Sequence, residues 1–193
     1  MRSALSILLA LLLLGCGESS TPPAFRLGER LPVAGSAADA NYREINWDDL
    51  APKGWDPLDG FKREEFAALK DGDPRANEML RKLQDAWNDA PTVPALDQQN
   101  VRIAGFLVPL DAERDQLREF LLVPYFGACI HSPPPPTNQT LHVVMDKPFT
   151  GRMMEPFWIS GRLRIDRKDS PLGSAAYTLQ GQLAEAYVRP PAP

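Results

Sequence analysis

Two cysteines and two histidines are the only thiols and imidazoles in this chain of 193 residues. So short a supply rules out a zinc site of doubled Cys-x-x-Cys spacing. Any thiol or imidazole chemistry has to run through Cys16, Cys129, His131 or His142. Surplus positive charge is lacking as well. The 21 Lys and Arg against 25 Asp and Glu give a formal net charge of −4, with no basic surface able to neutralise a phosphate backbone, which argues against a nucleic-acid partner. Apolar runs are short: Leu5–Leu14 cannot cross a bilayer, which takes about 20 residues. We find no internal repeat. Proline is in excess, and its 20 copies cluster at Pro22–Pro23, Pro133–Pro136 and Pro190–Pro193, marking linker, loop and tail. The length suits one domain with a proper core, and 44% hydrophobic with 24% charged residues is a globular balance.

The first residues set the compartment. Arg2 supplies a positive start, Leu5–Leu14 is a short apolar core, and Leu13-Leu14-Gly15-Cys16 resembles a bacterial lipobox. On this reading residues 1–15 are a signal peptide, and Cys16 carries acyl chains that anchor the protein to a membrane. The alternative is an ordinary secretory signal with a chance cysteine. Gly17 stands where inner-membrane lipoproteins usually carry Asp, so the expected location is the outer membrane, facing the periplasm. Cys129 is then left with no partner in the chain. An unpaired thiol in an oxidising compartment calls for burial, metal ligation, or redox or nucleophilic chemistry.

Residues 16–44 hold the lipidated cysteine and a stretch rich in Ser, Pro, Gly and Ala, expected to be a flexible tether. Residues 45–95 form a helical region. Trp47 and Leu50 are the apolar anchors of a short turn before Pro52, and Trp55 extends their patch. Phe61–Leu69 is a short helix. A longer one starts at Asp73-Pro74, an N-cap followed by proline at the first helical position. Ala76, Met79, Leu80, Leu83, Ala86 and Trp87 make one apolar stripe on it, expected to be core. In residues 96–189 the period changes to two. Val101–Leu110 is a strand bent at Gly105, Glu119–Tyr125 is apolar on both faces, and Leu141–Met145, Phe157–Ile165 and Tyr177–Leu183 alternate, the last with a bend at Gly181. Five such strands predict a mainly β fold, an OB-like small barrel with the helical region packed on it; a two-layer β-sandwich is the alternative.

The stretch Pro124–Asn138 concentrates the chemistry. Cys129 and His131 are two residues apart, and Pro133–Pro136 fix φ and remove four backbone donors, so the chain leaves the sheet as a stiff polyproline segment. If the strands on either side pair with Cys129 opposite His142, one sulfur and two imidazoles share a face, a set suited to zinc or copper. A one-residue slip sends His142 to the other face. A structural reading competes: Cys129 buried, the histidines bonded locally. A cysteine-dependent enzyme is a third, with Cys129 as nucleophile, His131 or His142 as base, Asn138 as orienting group and the Gly127–Ala128 backbone as oxyanion donor. Tyr125, Phe126 and Pro133, Pro134, Pro135 and Pro136 are the candidates for docking a partner protein; the competing reading is a plain stiff loop.

The run from Phe120 through Val123-Pro124-Tyr125-Phe126-Gly127-Ala128-Cys129-Ile130-His131, then the prolines and Asn138-Gln139, closely resembles the signature of the bacterial family called domain of unknown function 3299. Ile45, Trp47-Asp48-Asp49-Leu50 and Pro52 resemble its opening motif, and Gly105-Phe106 with Pro109-Leu110 its first strand. Ser132 and Thr137 depart from the pattern, and His142 falls where the family varies. The resemblance spans about residues 45–187. It implies a secreted protein or lipoprotein, often encoded beside permease and ATPase components of transporters and beside proteins suspected of handling metals; it implies no established activity. The leading expectation is a zinc- or copper-binding accessory protein of a transport system, with Cys129, His131 and His142 as ligands. The alternative is a non-enzymatic module that docks a transporter component through the proline loop.

Overall fold

Apolar residues from Asn100 onward, continuous in places and alternating in others, produce five long strands, preceded by a two-residue one. They are β1 Arg43–Glu44, β2 Asn100–Pro109, β3 Gln116–Val123, β4 Leu141–Thr150, β5 Pro156–Ser170 and β6 Gly173–Ala186. In the computed structural model, which describes residues 25–32, 41–61, 73–110, 116–132 and 134–190, β2 to β6 close into a barrel. The order is β2-β3-β4-β6-β5, with β5 returning to β2. Strands β4 and β6 run parallel and every other barrel pair is antiparallel, as expected of an OB-like barrel. The signal peptide, Cys16, residues 62–69 of the helix expected over Phe61–Leu69, Pro133 and residues 191–193 lie outside the described residues.

The pleat decides what goes inside. Leu107, Phe120, Leu122, Leu141, Val143, Ile159, Leu163 and Leu179 point inward and are fully buried. Phe106, Val108, Leu121 and Val123 point outward and form a second buried cluster, which is why β3 reads as a continuous apolar run. Two segments cover that outer face. One is residues 124–132; the other is residues 25–32. Phe25 meets Phe106 edge-on at 5.1 Å and stacks on Phe126 at 6.2 Å. Gly28 N donates to Phe126 O and Phe126 N to Glu29 O, each at 2.9 Å. The Arg189 guanidinium sits 4.2 Å over the Phe25 ring and reaches Glu29 at 2.8 Å. The flexible tether expected over residues 16–44 is therefore interrupted: residues 25–32 are a strap, because Phe25 and Leu31 have an apolar face to cover.

Both predicted glycine bends acquire a mechanism. Gly105 stays in register opposite Phe157, but a Cβ there would lie 2.7 Å from Leu122 Cγ and 2.9 Å from a ring carbon of Trp47. Only glycine lets the Trp47 ring lie across β2. Gly181 stands at a register shift between β5 and β6, where Ser160 faces Leu183 but Gly161 faces Gly181.

Helix α1, Pro74–Asn88, starts where predicted, with Asp73 accepting from Arg75 N at 2.9 Å. Its stripe is less buried than its spacing suggested. Leu83 alone is buried, Met79 and Trp87 are half-buried, and Leu80 is 47% exposed. The helix is fixed mainly by its C-terminal end: Trp87 Nε1 donates to Pro57 O, Thr137 Oγ1 donates to the carbonyls of Trp87 and Asn88, and Arg167 also donates to Asn88 O. Those carbonyls have no partner within a helix, so side chains complete them.

Candidate functional site

Strand β3 ends at Val123 because Pro124 has no N–H for the ladder. Residues 124–132 then coil tightly, with Ala128 N bonding Tyr125 O and both Ile130 N and His131 N bonding Gly127 O. Gly127 and Cys129 take positive φ, 89° and 64°. The hairpin that was expected to set Cys129 opposite His142 has a different register. His142 faces Leu121 on one side and Thr178 on the other, and Cys129 lies in the coil rather than on a strand.

The three expected ligands have separate surroundings. Cys129 is half-buried against the second apolar cluster, and a Cβ on Gly173 would lie 3.6 Å from its sulfur. Burial pushes the Cys129 thiol up to about 11, so it is held as S–H at neutral pH. His131 is exposed. His142 is buried, its Nε2 is 2.8 Å from Glu119 Oε1, and its Nδ1 has no hydrogen-bond partner. Among the described residues no group of three or more His, Cys, Asp or Glu side chains is arranged to hold a metal ion. The nucleophile arrangement is not assembled either. Asn138 spends its amide on Pro91 O, Gly127 N donates to Met154 Sδ, and Ala128 N donates to Tyr125 O.

What the proline loop does build is a groove. Its volume is about 440 Å³, and its lining includes Trp55, Tyr125, Pro52, Pro57, Pro124, Pro135 and Pro136, with Arg30, Asp48, Lys53 and Gln139 at its polar positions. Of the residues singled out for docking, Tyr125, Pro135 and Pro136 line it. Phe126 does not: it stacks on Phe25 and meets Phe106 edge-on at 5.7 Å. Pro134 is exposed and lies by Gly173. Sequence reasoning missed Arg30, Lys53 and the walls at Pro52 and Pro57; the only signal was Trp55, placed beside the Trp47 patch.

Each wall is pinned to the barrel. Asn46 caps the 3-10 turn Trp47–Leu50 with a capping box. Trp47 Nε1 donates to Ala104 O at 2.8 Å, and Gln139 Nε2 donates to Trp47 O at 2.8 Å. Tyr177, fully buried, donates its hydroxyl to Leu50 O at 2.8 Å and accepts from Val93 N at 2.6 Å. The opposite wall is held by Thr137 and Asn138, which bond helix α1 and Pro91. Arg30 enters from the strap, where it bridges with Tyr125.

The profile of the family described as "Protein of unknown function (DUF3299)" matches residues 47–186. The chain belongs to this family. The match takes in the Trp47–Leu50 turn, the proline loop and the barrel through Ala186, so every DUF3299 groove residue except Arg30 lies within it. A crystal structure of a DUF3299 family protein from Pseudomonas aeruginosa PAO1 is similar at 34% identity, with a TM-score of 0.58, over 77% of this chain and 98% of that one. None of the curated proteins matches this DUF3299 chain.

Proposed function

We propose that this chain is a lipid-anchored docking module facing the periplasm, whose groove receives an extended segment of a partner protein. The observation that carries the reading is the groove itself: Trp55 and Tyr125 with five prolines around about 440 Å³. Rigid aromatic and proline surfaces lose little side-chain freedom on binding, and they suit an extended, proline-containing chain. A component of a transport system is the partner that the family resemblance suggests. Phe25 is nine positions beyond Cys16, a reach of roughly 30 Å when fully extended. An anchor at Cys16 therefore keeps the docking face close to the membrane surface.

The zinc or copper role and the cysteine-enzyme role find less support. Cys129, His131 and His142 occupy three different environments, and the thiol is one that burial disfavours as a thiolate. The docking reading is tested by photo-crosslinking in living cells from position 53 in the groove, with position 164 on the exposed side of β5 as control. An adduct of defined mass from position 53 only, lost on Trp55→Ala, is the expected result. Equal adducts from both positions, or adducts indifferent to Trp55→Ala, would overturn it.

A further inference from the structure

We infer that the groove selects segments carrying a carboxylate, an inference that rests on the docking reading above and names the chemistry of its ligand. The chain is acidic overall, at −4. The groove is not. Lys53 is exposed and makes no ion pair among the described residues, and the ion pair of Arg30 with Asp48 is a loose one at 3.4 Å. The Arg30 side chain is 55% exposed despite that contact, so both cations are accessible. Among the lining residues two cations stand against one anion, beside a Trp55–Tyr125–proline surface, in a protein of net negative charge. A neutral proline-rich segment would use the apolar walls and leave the cations idle. A segment with Glu or Asp next to its prolines would use both.

The favoured occupant is therefore an extended peptide segment in which proline and an acidic residue are neighbours. An anionic lipid surface is the other occupant that lysine and arginine would accept, and the overall negative charge speaks against it, because the rest of the protein would be repelled from such a surface. The Lys53 contribution is that of an exposed ion pair, so the expected effect is modest and salt-sensitive.

The test uses the full chain in detergent micelles and two capped synthetic peptides, Ala-Pro-Pro-Leu-Pro-Glu-Ala and its Gln counterpart, titrated by calorimetry. The acidic peptide should bind about three- to fivefold more tightly at low salt, the difference falling below about twofold in 0.5 M salt or in Lys53→Gln. Trp55→Ala should weaken both peptides together. Equal affinity for the two, still lost with Trp55→Ala, would overturn the carboxylate inference and leave the docking reading standing. Binding of both peptides untouched by either substitution would overturn both. No binding of either peptide would overturn the inference, with the docking reading then judged by the crosslinking from position 53. Lys53-dependent binding to phosphatidylglycerol vesicles, with both peptides inert, would reassign the cations to a lipid headgroup.

Discussion

The Cys129–His131 coil and the Trp55 groove lie at opposite ends of the same proline run, and they contrast in an instructive way. The coil holds the residues that chemistry makes conspicuous: a thiol and an imidazole two positions apart. The groove is made of residues that attract little notice, prolines and two aromatics gathered from three stretches of chain. Yet the coil is packed against the outer apolar cluster and its thiol is held protonated, while the groove is open and carries unspent charge. Reactivity belongs to a side chain's surroundings, and openness to how separate segments are pinned relative to each other.

The sharpest way to break the contrast is to measure the thiol. Its shift from 9.0 to about 11 leaves about a hundredfold less thiolate than an unburied cysteine at any pH below 9. Iodoacetamide should alkylate native Cys129 about a hundredfold more slowly at pH 8 than the same residue in denaturant. The folded state holds this proton more tightly than the unfolded one, so its contribution to stability is intact below about pH 9 and is lost as pH rises to about 11. Labelling as fast in native protein as in denaturant would restore Cys129 as a candidate nucleophile or ligand.

Tyr177 tests whether the groove is a pinned structure. Its hydroxyl serves Leu50 O and Val93 N together, inside the barrel's end. Tyr177→Phe leaves both backbone groups unpaired and should cost about 1–3 kcal/mol in urea unfolding. It should also loosen the wall at residues 51–57 enough to weaken crosslinking from position 53. Full stability with the groove function lost would mean the hydroxyl shapes the wall without holding the fold.

Much of the barrel was legible because strands obey a local rule. Alternation marked β4, β5 and β6, and the apolar run Phe120–Val123 revealed a strand covered on both faces. Asp73-Pro74 fixed the start of α1, since capping is a contact over two residues. The register of β3 against β4 was not legible. It depends on Pro124 ending the strand before Cys129, which hands the residues beyond it to a coil. The groove was legible only in part, since no period joins Arg30, Trp55 and Pro135. The strap was hidden by its composition: Phe25 and Leu31 are two apolar residues in a stretch otherwise typical of linkers.

Trp55 separates binding from folding. Its ring is half-buried and lines the groove, so Trp55→Ala should lower stability by less than about 1 kcal/mol, while reducing partner crosslinking about tenfold. A large loss of stability would instead make it a core residue whose groove is incidental.

The smallest effect expected is also the one that decides between the two ends of the proline run. Zinc or copper(I) titrated into the full chain should bind no more tightly to wild type than to Cys129→Ser. Ligation needs a deprotonated sulfur, and burial sets that cost at the outset. His142 would also have to exchange its 2.8 Å contact with Glu119 for the metal, and β4 holds it opposite Leu121. Cys129→Ser should likewise leave crosslinking from position 53 unchanged, because Cys129 does not line the groove. Metal affinity that falls at least tenfold with Cys129→Ser would show that the coil rearranges to bring sulfur and imidazole together, which would make the coil and not the groove the working end of the proline run.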